Sequence, residues 1–457
     1  MTVAVLGGGF AGLQAAIALR QRSVPIVLLE RRGILGGRAS SYRDARSGDE
    51  VDNGVHVLFG AHAAAQELIR SAGAGPLLAP DDRRGPTWSD GSRTWTLGAA
   101  RLPAPWHLLP GLLGMGLPAR ELPAAWRFLR GAGRGAPAAD TTLARELVRR
   151  GVGPQARRRL IGPLSRLLCL APPEAVSAEL FGTAVRRALV ASRRGARPLS
   201  LLCGLAELHE RLGSHLDSLG GRILRGARAE SLELRDGRVR AVLYRQRPRE
   251  REAIQRGEAG SAERLEVTAV VSALPWHGLP PLLPEPAVGE PSFAQLGRLA
   301  GTPAISLAFW LDQRVLGSAW LGVAGGGLCR VGTRERGPAA DGSRQMLQAL
   351  VLPSKDDAKR PNGEIAASCE AELVRALPEA AGSIQRSLVV REPQAAFRQT
   401  PDAAGARPAP VTGIRGLFLA GDWTDTGLPA SIEGAVRSGH AASEAVGTYL
   451  AALQSPS

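Results

Sequence analysis

Six residues near the start of the chain constrain its fold more than any others. Gly7-Gly8-Gly9-Phe10-Ala11-Gly12 follows the apolar run Val3–Leu6 and opens Leu13–Arg20, which has the apolar spacing of a helix. Ile26–Leu29 is a second apolar run, so the segment reads as strand, turn, helix, strand. In a GxGxxG turn each glycine has its own task. Gly7 makes the tight turn, Gly9 lets a pyrophosphate approach the backbone, and Gly12 lets the helix lie close against the strand. The anion rests on the helix N-terminus, where unbonded N–H groups and the helix dipole favour negative charge. Glu30 closes the second strand 23 positions after Gly7, near the spacing at which a carboxylate meets ribose hydroxyls. A glycine turn alone is a weak signal; in this setting it predicts a dinucleotide site.

Two later features decide which dinucleotide. Gly36-Gly37-Arg38 is a second glycine turn with an arginine able to reach phosphate, and Gly416–Asp422 is an apolar run ending in Gly421-Asp422. A second strand end carrying a carboxylate suits the ribityl and pyrophosphate parts of FAD, which a nicotinamide-only domain does not need. Taken singly, Asp422 would be a turn or helix-capping residue.

Between these motifs the pattern alternates. Leu143–Arg150, Ala184–Ala191, Leu205–Leu219 and Ile432–Leu450 are predicted helices. Gly221–Leu224, Ala229–Arg235, Val239–Tyr244, Val267–Leu274, Ile305–Leu311, Leu347–Leu352 and Leu417–Ala420 are predicted strands, with a turn at Asp236-Gly237. The charged run Arg245–Glu266 reads as an exposed hairpin extension and Pro401–Pro410 as a surface loop.

The motifs resemble those of the flavin amine oxidase and phytoene desaturase superfamily, and within it the hydroxysqualene dehydroxylase group. The likeness runs nearly end to end. It is carried by Leu35-Gly36-Gly37-Arg38-Ala39, Asp52-Asn53-Gly54-Val55-His56, Val270-Val271-Ser272-Ala273-Leu274-Pro275-Trp276 and above all Leu419–Gly439, which contains Gly421-Asp422-Trp423-Thr424-Asp425-Thr426-Gly427. The resemblance implies an α/β fold, a two-part Rossmann-type FAD-binding domain (residues 1–60, 200–285 and 411–457) interleaved with an α+β substrate-binding domain (61–199 and 286–410). It implies that the backbone of Gly9, Phe10, Ala11 and Gly12 binds phosphate, that Glu30 binds the adenosine ribose, and that Arg38 lies beside the pyrophosphate. The Ala229 backbone would meet adenine, Asp422 would hold the ribityl or phosphate portion, and Ser431 and Ile432 would approach the flavin ring. No Cys or His sits at the place near the last motif where the resemblance would put a covalent flavin link, so the FAD is expected to be non-covalent.

On the substrate side, relatives that oxidise amines carry a lysine near the flavin and an aromatic cage. Here lysine occurs only at Lys355 and Lys359, and there are only three tyrosines, which leaves little to build such a cage. The resemblance implies instead an isoprenoid lipid, with hydroxysqualene as substrate; desaturation of a carotene-like polyene is the enzymatic alternative, and an isoprenoid-binding escort role the non-enzymatic one. His56, the lone polar side chain in Val55–Phe59, an apolar stretch read as a strand that follows the Asp52-Asn53-Gly54 motif, is the candidate catalytic acid.

Residues 101–130 combine Trp106, Leu112, Leu113 and Trp126 with arginines at 101, 120, 127 and 130, the make-up of a segment that rests on an anionic membrane; a buried helix pair over the site is the other reading. The net charge of +15 comes almost wholly from arginine and lacks the basic, aromatic-interleaved pattern of a nucleic-acid module, so no nucleic-acid partner is expected. The four cysteines are far apart with no CxxC pair, which argues against a metal site and for reduced thiols. A cytoplasmic location, on the membrane face where lipid is met, follows as the expectation.

Overall fold

The computed structural model describes residues 1–81, 84–133, 140–247, 260–333, 344–354 and 356–454. Its organising layer is a five-stranded parallel sheet in the spatial order Arg222–Arg225, Ile26–Glu30, Val3–Leu6, Ala269–Ser272, Leu417–Leu419. The central strands are apolar up to their C-terminal ends, where Glu30 and Ser272 stand, because both faces are covered, as parallel sheets require. The helix Phe10–Gln21 packs on one face with Leu205–Ser218 and Ile432–Gln454. Phe10–Gln21 approaches the last helix so closely that a side chain at Gly439 would collide with the Ala11 carbonyl.

A three-stranded antiparallel sheet, Ala227–Arg235, Arg238–Gln246 and Ser261–Glu266, extends from this layer. A seven-stranded sheet forms the second body: Ile384–Phe397, Gly301–Leu311, Gln345–Val351, Leu328–Thr333, Trp320–Val323, Thr87–Ser89 and Thr94–Thr96, in that order. Short helices between 106 and 190 pack into a separate apolar cluster around Phe128, Phe181 and Leu164. The fold is thus α/β with a Rossmann-type nucleotide layer joined to an α+β part.

Several expectations shift. The first helix begins at Phe10, not Leu13, because the last glycine of the motif already lies in its first turn. The helix expected at Ala184 starts at Ala178, where Ser177 Oγ accepts the Leu180 N–H at 3.4 Å, and widens to a π-turn over Arg186–Val190. Within Arg245–Glu266 the expected exposed hairpin is present in its described part, Ser261–Glu266 pairing antiparallel with Arg238–Gln246; residues 248–259 lie outside the described ones, as does Lys355. Val55–Val57 is not a strand: only Leu58–Phe59 is, and His56 stands in the loop before it. Pro401–Pro410 is not simply a surface loop either, since it contains a helical turn, Pro401–Gly405, and the buried Arg407.

Candidate functional site

Four motifs that are remote in sequence meet at the C-terminal ends of the parallel strands, where open α/β sheets bind ligands. The turn after Val3–Leu6 carries Gly7 at φ 104° and Gly9 at the helix N-terminus. Gly12 lies against that turn, so that a Cβ on it would collide with the Gly7 carbonyl oxygen. Opposite Gly9 stands the second glycine turn: a Cβ built on Gly37 would lie 3.3 Å from Gly9 Cα. The two turns therefore face each other as bare backbone.

Glu30 is buried beside this cradle. Its Oε2 accepts the Gly8 N–H at 2.8 Å and its Oε1 the Arg32 N–H at 2.9 Å, which fixes the carboxylate at the strand end. Ala229 pairs with Tyr244 just before the antiparallel ladder slips, Glu230 being the extra residue between Ala229 and Ser231. Arg38 reaches across to Asp422 and pairs with its Oδ1, joining the second turn to the last strand end. Arg38 Nη1 is buried with no hydrogen-bond partner among the described residues, an orphaned donor at the spot where a phosphate is expected. Gly421 is held by donation of its N–H to Ser438 Oγ at 2.7 Å. Ser431 Oγ accepts the Gly434 N–H at 3.1 Å at the start of the last helix, and Ile432 packs on the core below. The bare-backbone cradle, the two carboxylates and the unpaired arginine donor fit an adenine dinucleotide.

The Asp52-Asn53-Gly54 segment is anchored at both ends. Asp52 Oδ1 accepts from Ser41 Oγ at 2.6 Å and from the Leu205 N–H at 3.0 Å, at the N-terminus of the helix Leu205–Ser218. Asn53 Nδ2 donates to the Arg38 carbonyl at 3.2 Å, and the Gly54 N–H donates to Ser306 Oγ on the second sheet at 3.0 Å. His56 follows, partly buried, with Nε2 3.1 Å from the Asn53 carbonyl. Burial lowers its pKa; Asp52 opposes that shift and the Arg330 guanidinium adds to it. The imidazole is therefore neutral at neutral pH.

Sequence reasoning passed over three groups here. His209 reads as an ordinary helical residue, yet its ring is buried, packs on Phe10 with centroids 4.5 Å apart, and has Nε2 unpartnered among the described residues. Burial is the main reason its pKa falls to about 4. Arg407 donates from Nε to the Thr424 carbonyl at 2.9 Å, from Nη1 to Leu428 at 2.8 Å, and from Nη2 to Asp422 at 3.2 Å. It therefore clamps the loop that presents Asp422 and leads to the last helix; among 57 Lys and Arg residues nothing in the sequence singles it out. Arg330 did leave a trace, as a charge inside the apolar run Leu328-Cys329-Arg330-Val331.

Comparison with known proteins agrees with this geometry. The chain is 30% identical to the hydroxysqualene dehydroxylase of Rhodopseudomonas palustris, covering 97% of this chain and 98% of that one. It is 26% identical to the 15-cis-phytoene desaturase of Synechococcus elongatus, covering 98% and 96%. Among solved structures it is similar in fold to the cyclohexylamine oxidase of Brevibacterium oxydans, with TM-score 0.71 at 18% identity over 98% of this chain and 99% of that one. The flavin containing amine oxidoreductase pattern matches residues 10–447. The chain belongs to the flavin containing amine oxidoreductase family and is an FAD-dependent oxidoreductase.

Proposed function

We propose that this enzyme removes the hydroxyl of hydroxysqualene reductively to give squalene. The near end-to-end likeness to a hydroxysqualene dehydroxylase carries this reading. The site residues are consistent with it: a polar wall of His56, Asp52 and Arg330 stands where the nucleotide layer meets the second sheet, which a hydrocarbon alone would not call for. Gly9, Phe10, Ala11, Gly12, Gly37 and Arg38 would hold the pyrophosphate, Glu30 the ribose, Ala229 the adenine, and Asp422, Ser431 and Ile432 the flavin half. Reduced FAD supplies a hydride. His56 is assigned as the proton donor to the departing oxygen. The deciding experiment is anaerobic incubation of the reduced holoenzyme with hydroxysqualene and, separately, with a carotene precursor. Squalene is the expected product. Desaturated polyene, with hydroxysqualene returned unchanged, would assign the chain to the desaturases it also resembles.

The enzyme is further proposed to take its lipid from an anionic membrane through residues 101–130. No helix among the described residues is long and apolar enough to cross a membrane, so contact would be peripheral. Leu102, Trp106 and Leu113 are exposed, and Trp106 borders a surface pocket of about 390 Å³ with Arg127 and Arg130. Leu112 is buried in the helical cluster, so it is not part of this face as the sequence suggested. Changing Leu102, Trp106 and Leu113 to serine should weaken binding to anionic vesicles at least ~10-fold, by removal of apolar area from the contact. Flavin content should stay constant. Vesicle binding that survives the triple change would place lipid entry elsewhere.

A further inference from the structure

Beside His56 lies a buried guanidinium with no counter-ion among the described residues. Arg330, on the strand Leu328–Thr333, is 7% exposed. Its Nε donates to the Val55 carbonyl at 2.7 Å and its Nη1 to the Leu167 carbonyl at 3.2 Å. No carboxylate among the described residues pairs with it. Burial lowers its pKa to about 10, which leaves it charged at neutral pH. An unpaired buried cation costs several kcal/mol, and an apolar side chain of the same size would serve packing better. Its presence therefore points to a ligand.

The position narrows what that ligand is. One carbonyl partner adjoins His56 and the other belongs to the helix Gly162–Cys169, so the guanidinium sits where the Asp52–His56 segment, the helical cluster and the seven-stranded sheet meet. The placement is tight: on the same strand, a Cβ at Gly332 would lie 2.9 Å from Val55 Cγ1. Nη2 finds no partner among the described residues, and neither does His56 Nδ1. Two polar nitrogens without partners among the described residues thus belong to neighbouring side chains.

We propose that Arg330 binds the substrate oxygen, with Nη2 donating a hydrogen bond to the hydroxyl of the alcohol and to the water it becomes. This rests on the dehydroxylation reading. In that reaction the C–O bond breaks with its electron pair on oxygen, a hydride from reduced flavin forms the new C–H bond, and the oxygen takes a proton and leaves as water. Oxidised flavin remains. A fixed cation beside the oxygen stabilises the charge that develops there. It also sets specificity, because a hydrocarbon leaves the guanidinium unpaired. The product is such a hydrocarbon, so the group that holds the substrate also favours release of the product.

The test compares equilibrium binding of hydroxysqualene and squalene to the oxidised holoenzyme, read from perturbation of the flavin absorption. The wild type should prefer the alcohol by about 10- to 100-fold, the scale of a hydrogen bond to a charged group. Arg330→Met should lose the preference through weaker alcohol binding, with squalene bound as well as before or better. Arg330→Lys should keep part of it, and serves as the reading if the methionine variant does not fold. Equal loss of both ligands in the variants, or no preference in the wild type, would overturn the assignment. Because no turnover is needed, a wild type that prefers the alcohol yet forms no squalene would sink the reaction and not the oxygen site.

Discussion

Valine at position 9 should give a folded protein that carries no flavin. Gly9 has φ −85° and ψ −178°, extended backbone open to any residue, so no strain opposes the change. A Cβ there would lie 3.6 Å from Gly37 Cα, an ordinary contact, and the protein alone can accept it. What the branched side chain fills is the gap between the two glycine turns, and a pyrophosphate drawn up to bare backbone tolerates nothing in that gap. Gly12→Val is the control of opposite character. Its side chain would strike the Gly7 carbonyl and the neighbouring Ala273 Cβ, prying the helix Phe10–Gln21 off the sheet, so it should fail to fold. Flavin absorbance per chain, together with circular dichroism, separates the outcomes. A Gly9→Val protein with full flavin content would show that the phosphates sit elsewhere.

How much of this could be read from residues alone varies with the reach of the interaction. The strand Val3–Leu6, the glycine turn and Glu30 form one contiguous unit whose local pattern declares its geometry, and the FAD fold class followed from it together with Asp422. Register shifts of a few residues, such as the helix starting at Phe10, reflect a turn that also serves as a first helical turn. Long-range partnerships were not legible. Arg407 bonds to residues 15 to 21 positions away, and its surroundings of Pro and Ala look like loop. The inward direction of Leu112 depends on where the helical cluster closes, which the composition of 101–130 does not encode. His209 becomes interesting only because Phe10, almost 200 residues earlier, lies on its ring. Arg330 was the exception that a closer reading could have caught, since a lone charge within an apolar strand demands a partner.

Alanine at position 56 should keep FAD and lose about 10²- to 10⁴-fold in single-turnover oxidation of the reduced enzyme by hydroxysqualene, the usual contribution of a positioned general acid. Hydroxide is a poor leaving group, so the oxygen must gain a proton as it departs. Among the described residues the imidazole is anchored only through Nε2 to the Asn53 carbonyl, and no flavin-cradling residue bonds to it. The active form is the imidazolium, and the pH profile follows from its surroundings. Burial lowers the pKa from 6.5, Asp52 on the adjoining strand pulls it back up, and Arg330 from the second sheet pushes it further down. His209 from the helix below, held near 4 by burial, stays neutral across the working range and adds no charge. The rate should therefore climb as pH falls through neutrality toward the lowered pKa of this imidazole, and the climb should vanish in His56→Ala. The same sign governs stability. His62 and His209 have folded values of about 4, below their ordinary 6.5, so the fold favours their neutral forms. That stability is present above 6.5 and drains away as pH falls toward 4, at roughly 1.4 kcal/mol per group per pH unit. Rates read in the upper part of this window, with unfolding followed in parallel, keep the two effects apart. A wild-type rate in His56→Ala at every pH would remove the imidazole from the proton path.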